Sequence, residues 1–126
     1  MGILYNRFTS EPSSTAWTLI KTFTEVNTDV TLPDLTGKTE LLVVCDDRIS
    51  LLFCLWDIRS SNHHNDGASG EKIYNTNTGT GYRYEVNFYH YYPAYQAPFI
   101  RVYGIEILSL SQLQDLSSVN TKVYVR

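Results

Sequence analysis

Two imidazoles and a carboxylate stand together in Asn62-His63-His64-Asn65-Asp66, and such groups ligate a divalent ion when three or four converge on it. The spacing matches no zinc pattern, because adjacent histidines in one loop rarely both reach the same ion. The segment is therefore read as a solvated loop, or as a source of hydrogen bonds to the hydroxyls of a ligand. A second group of side chains, Tyr89, His90, Tyr91, Tyr92 and Tyr95, is framed by Pro93 and Pro98. Tyrosines on a stiff prolyl loop lose little entropy on contact, so they suit stacking on sugar faces or against a neighbouring subunit. Packing within the same chain is the competing role. The candidate ligand-binding residues are Asn62, His63, His64, Asp66, Tyr89, Tyr91 and Tyr95, with no metal or cofactor site expected.

Other reactive residue types fail on context. Asp46 and Asp47, side by side in a tight turn, are expected to point apart and stay solvated, which does not suit paired acid–base work. Cys45 and Cys54 lie in apolar runs, where burial disfavours the thiolate, so both are expected as buried, inert free thiols. If Asp46-Asp47-Arg48 is a tight turn, the two sulfurs are not opposite each other and no disulfide forms. Gly79-Thr80-Gly81 lacks the following helix and the basic residue of a phosphate loop and is read as a turn. His90 falls on the apolar face of its strand, as a core or interface histidine does. No catalytic residue emerges.

The elements that position these groups are strands. Tyr82, Tyr84, Val86, Phe88, His90 and Tyr92 alternate with Arg83, Glu85 and Asn87, the period of a half-buried strand. Thr39–Cys45 and Ile49–Trp56 are apolar on both faces and are expected as central strands joined in a hairpin across Asp46-Asp47-Arg48. Trp17, Leu19 and Phe23 form the buried side of another strand. Thr28–Leu32, Phe99–Leu108 and Thr121–Arg126 complete the set, with a bulge at Gly104, where the apolar parity shifts. Asp57–Gly81 is polar and is expected as a long irregular connection with a weak strand signal at Lys72-Ile73-Tyr74. The leucine spacing of Ser109–Leu116 fits a short helix as well as a loop. About seven or eight strands give an all-β fold: one antiparallel β-sandwich or jelly-roll-like domain over residues 16–126, preceded by an attachment segment or linker over 1–15.

Composition agrees with this class. The 126 residues are 43% hydrophobic and 18% charged, and they include ten tyrosines, a balance that suits packed strands and excludes a disordered chain. A net charge of −3 with no basic run argues against nucleic acid as partner. Leu41–Trp56 is interrupted by Asp46, Asp47 and Arg48, which argues against membrane insertion. Strands apolar on both faces, low charge and many tyrosines predict a homotrimer.

The order Ala16-Trp17-Thr18-Leu19-Ile20, Val30-Thr31-Leu32-Pro33-Asp34, Thr39-Glu40-Leu41-Leu42-Val43-Val44 and Thr121-Lys122-Val123-Tyr124-Val125-Arg126 resembles the C-terminal tip domain of phage tail-fibre and head-fibre proteins. The resemblance covers most of the chain from Trp17 onward, and it departs from the family pattern in the two cysteines and in Ser60–Ser69. It implies a non-catalytic, trimeric receptor-binding tip on a virion, assembled in the host cytoplasm, whose partner is a host surface glycan or other receptor. Two further readings stand beside it: a carbohydrate-binding module of a cellular protein, and a purely structural virion or decoration protein. A small metal-dependent hydrolase is the remote fourth.

Overall fold

The apolar run Glu40–Cys45 (β3) turns back as Ile49–Cys54 (β4) in the expected hairpin, with Cys45 opposite Ile49 and Glu40 opposite Cys54. Asp46 and Asp47 both take positive φ, 53° and 55°, and the Arg48 N–H donates to the Cys45 carbonyl at 2.9 Å. This is the geometry of a type I′ turn, which matches the twist of the flanking strands and which Asp tolerates better than branched residues do. The computed structural model describes residues 17–55, 63–91 and 97–126.

Nine strands are present among the described residues, in two antiparallel sheets that form one β-sandwich. The remaining strands are Thr18–Phe23 (β1), Val30–Thr31 (β2), His63–Asn75 (β5), Thr80–Tyr91 (β6), Phe99–Ser109 (β7), Gln112–Asp115 (β8) and Thr121–Val125 (β9). The four-stranded sheet runs β1-β9-β3-β4; the five-stranded sheet runs β2-β7-β6-β5, with β8 on β7. The core lies between them. Leu41, Val43, Phe53 and Val123 from one sheet meet Tyr84, Val86, Phe88, Ile100 and Val102 from the other, with the Phe53 and Phe88 rings 5.7 Å apart. A second cluster, Trp17, Leu42, Val44 and Tyr124, lies on the opposite face of the four-stranded sheet. Both faces of β3 are thus buried, as its two-sided apolar sequence requires.

Several expectations are corrected. Strand β4 is an edge, not a central strand, and at its end Cys54 is exposed while Cys45 is buried. Leu19 is 46% exposed: the register of β1 against β9 shifts between Leu19 and Lys21, so Trp17 and Phe23 serve opposite faces of the sheet. Ser109–Leu116 is neither helix nor plain loop, because Gln112–Asp115 pairs with β7. Gly104 is not a bulge, since β6 and β7 pair through it without a shift. It is small because a Cβ there would lie 2.8 Å from Val119 and 2.9 Å from Leu116, whose side chains fill that space. The expected irregular connection is largely strand β5, thirteen residues long.

Asp46 is not solvated. Its side chain is 15% exposed and accepts from the Tyr84 hydroxyl at 2.8 Å, the Asn120 N–H at 2.8 Å and Arg48 Nη1 at 3.3 Å. Arg48 also donates to the Tyr84 oxygen at 2.9 Å and lies 3.7 Å over the Tyr82 ring. The turn of one sheet is thereby tied to the central strand of the other. Burial, followed by the hydrogen bond to and charge of Asp46, pushes the Tyr84 phenol well above its ordinary range, while its bond from Arg48 opposes this.

Candidate functional site

Strand pairing brings the two candidate segments together. His63 pairs with Tyr91, His64 with His90, Asn65 with Tyr89 and Asp66 with Phe88, at one end of the five-stranded sheet. Alternation then sorts them by face. Asp66 is half-buried in the row of Phe88 and Ile100, on the core side. His90 stacks on Phe88, ring centroids 5.9 Å apart. Asn65 and Tyr89 belong to the outer face. Asn62 and Tyr95 lie outside the described residues.

The outer face reads as a ladder of rows across β5, β6 and β7. Asn65, Tyr89 and Phe99 form the first, Gly67, Asn87 and Arg101 the second, and Ser69, Glu85 and Tyr103 the third. Glu71, Arg83 and Ile105 follow. In the first row the Tyr89 and Phe99 rings stack at 4.4 Å between centroids and 17° between planes, giving a half-buried apolar platform. Beside it is a shallow depression of about 290 Å³ walled by Gly67, Ser69, Glu85 and Asn87. Its floor is low because Gly67 carries no side chain, and a Cβ there would lie 3.3 Å from Asn87 Oδ1. Amide, hydroxyl and carboxylate groups thus surround a space next to an aromatic surface, so one ligand could meet both hydrogen-bond partners and apolar area there.

The charges of this face are largely committed. Arg83 Nη2 lies 2.7 Å from Glu71, and Arg101 Nη2 lies 2.8 Å from Asp29. The Tyr103 hydroxyl donates to Asp115 at 2.5 Å, and that bond, with some burial and the charges of Asp115 and Glu85, raises its pKa. Glu85 stands exposed on the rim of the depression.

Gly67, Ser69, Glu85, Asn87 and Phe99 did not figure among the sequence candidates. Their signal was the polar phase Arg83, Glu85, Asn87 of the clearest strand, which marks a solvated face as strongly as Tyr84, Val86 and Phe88 mark the core. No cluster of three or more metal-ligating side chains occurs among the described residues. Comparison with family models, with curated proteins and with solved structures finds no match.

Proposed function

We propose that this domain is the non-catalytic receptor-binding tip of a phage fibre, which binds a saccharide of the host-cell surface through the outer face of its five-stranded sheet. The observation that carries the reading is the Tyr89–Phe99 platform beside the Gly67 depression. A pyranose ring laid on the platform covers apolar C–H surface, while Asn65, Asn87, Ser69 and Glu85 offer partners to its hydroxyls. Each group sits on a paired strand, so binding loses little conformational entropy. The reading places the domain on the virion after assembly in the host cytoplasm, with no catalysis and no cofactor.

A homotrimer belongs to the same proposal. It is supported by the exposed apolar side chains at the opposite end of the sheet, Ile73, Tyr74, Leu108, Leu110 and Leu113, of which Leu110 is 87% exposed. Exposed apolar side chains gathered at one end of a sheet offer surface for association. Three weak sites on one body raise avidity by about 10²–10⁴ over a single site when geometry lets them engage together. Light scattering should give three times the chain mass, and Leu110→Glu with Leu113→Glu should give the monomer; a wild-type monomer at micromolar concentration removes the trimer.

The saccharide reading is tested by adsorption of the purified chain to susceptible host cells before and after mild periodate oxidation, which destroys vicinal diols. Loss of adsorption on oxidised cells, together with weakened adsorption of Tyr89→Ala, is the expected result. Equal adsorption to oxidised cells overturns it.

A further inference from the structure

We infer that the outer face of the five-stranded sheet selects neutral saccharides and rejects acidic ones, such as those carrying sialic or uronic acid. The inference rests on the saccharide-binding reading above and adds its ligand class. Recognition of a sugar carboxylate calls for an uncommitted cation, best supplied by a forked guanidinium. The four rows of the face contain two arginines. Arg83 donates through Nε and Nη2 to Glu71 Oε1, both at 2.7 Å. Arg101 donates through Nε and Nη2 to Asp29 Oδ1, at 2.9 and 2.8 Å. Each guanidinium thus already spends two of its five donors on a carboxylate that offsets its charge, so an acidic sugar meets a committed cation rather than a free one.

The group left over has the wrong sign for an anion. Glu85 is exposed on the wall of the depression, between Ser69 and Tyr103, and Tyr103 is engaged with Asp115. A sugar carboxylate held about 5 Å from Glu85 is disfavoured about fourfold even at the dielectric of water, and more so where the platform excludes solvent. A neutral ring meets no such term, and its hydroxyls can donate to the Glu85 oxygens, which accept charge-assisted hydrogen bonds.

The test is an array of neutral di- to tetrasaccharides of hexoses and N-acetylhexosamines, each printed beside its sialylated or uronic-acid-containing counterpart and probed with the intact chain. The neutral member of a bound pair should bind about fourfold tighter or more, with an affinity that is unchanged between low and high salt. Glu85→Gln removes the repulsion, and Asp29→Asn releases Arg101, so both variants should raise binding of the acidic members. Equal or tighter binding of acidic members by the wild-type chain overturns the inference and leaves the saccharide reading standing. Acidic binding that neither variant raises overturns the roles given to Glu85 and Arg101. Failure of the wild-type chain to bind any member overturns the saccharide reading itself.

Discussion

Removing the Asp46 carboxylate should be among the most damaging single changes outside the apolar core. The side chain accepts two short hydrogen bonds, from Tyr84 and from the Asn120 N–H, each 2.8 Å, and a longer one from Arg48 at 3.3 Å. Bonds to a charged, mostly buried acceptor contribute about 1.5–3 kcal/mol each. With the carboxylate 15% exposed, the lower end applies, about 3 kcal/mol for the two short bonds. The Arg48 contact adds little, because Arg48 is 38% exposed and such pairs are screened. Alanine also fits poorly at φ 53°, at a cost of about 1 kcal/mol. Asp46→Ala should therefore destabilise the domain by about 4 kcal/mol, Asp46→Gly by about 3, and Asp46→Asn, which keeps an acceptor and tolerates the left-handed backbone, by about 1–2. Urea unfolding measures this as a lowered midpoint at constant slope, and the cycle with Tyr84→Phe should give a coupling of about 1–2 kcal/mol. A cost below about 1 kcal/mol for Asp46→Ala, or equal costs for alanine and asparagine, refutes the cross-sheet tie.

Further outcomes follow from other parts of the molecule. Iodoacetamide should modify Cys54 in the native protein and Cys45 only after denaturation, since Cys45 is buried and burial, with Asp46 nearby, pushes its thiol up; mass spectrometry counts one adduct and then two. Gly104→Ala should cost about 1–3 kcal/mol by overpacking, because its Cβ would crowd Val119 and Leu116; no loss of stability would mean that this corner repacks freely. Tyr84 holds its proton more tightly in the folded state than the unfolded phenol does. The unfolded chain therefore binds fewer protons above pH about 10, and stability falls as pH rises past that point. Chemical denaturation at pH 9 and 11 should show a smaller drop for Tyr84→Phe than for the wild type.

The sandwich was legible wherever burial leaves an apolar rhythm. Strand β6 and the β3–β4 hairpin sit at the centre of their sheets or against the core, so Tyr84, Val86, Phe88, Leu41 and Val43 are fully or almost fully buried and imprint period two on the sequence. Strand β5 left no such imprint. It is an edge whose outer positions are Asn65, Gly67 and Ser69 and whose inner positions include Ala68 and Gly70, the last pressed against Ile49, so neither face demands large apolar residues. Strand β8 was hidden because Leu113 lies 57% exposed and, with Leu110 and Leu116 on either side of the strand, mimics a helical spacing. Asp46 was misjudged because local turn chemistry says nothing of Tyr84, which reaches it from 38 residues away. Of the candidate site, the sequence singled out two segments that pair with each other at one end of the five-stranded sheet, but pairing decided that Tyr89 shares a face with Asn65 and not with Asp66.

A saccharide proposed to occupy the outer face of the five-stranded sheet must leave its footprint on the residues of that face. Amide chemical-shift perturbation of the isotope-labelled chain, titrated with the tightest neutral oligosaccharide from the array, tests it most directly. The largest shifts should fall on Gly67, Ser69, Asn87, Tyr89 and Arg101, and they should disappear in Tyr89→Ala, which should remain folded. Shifts centred instead on the four-stranded sheet, or on the apolar end at Leu110 and Leu113, would contradict it.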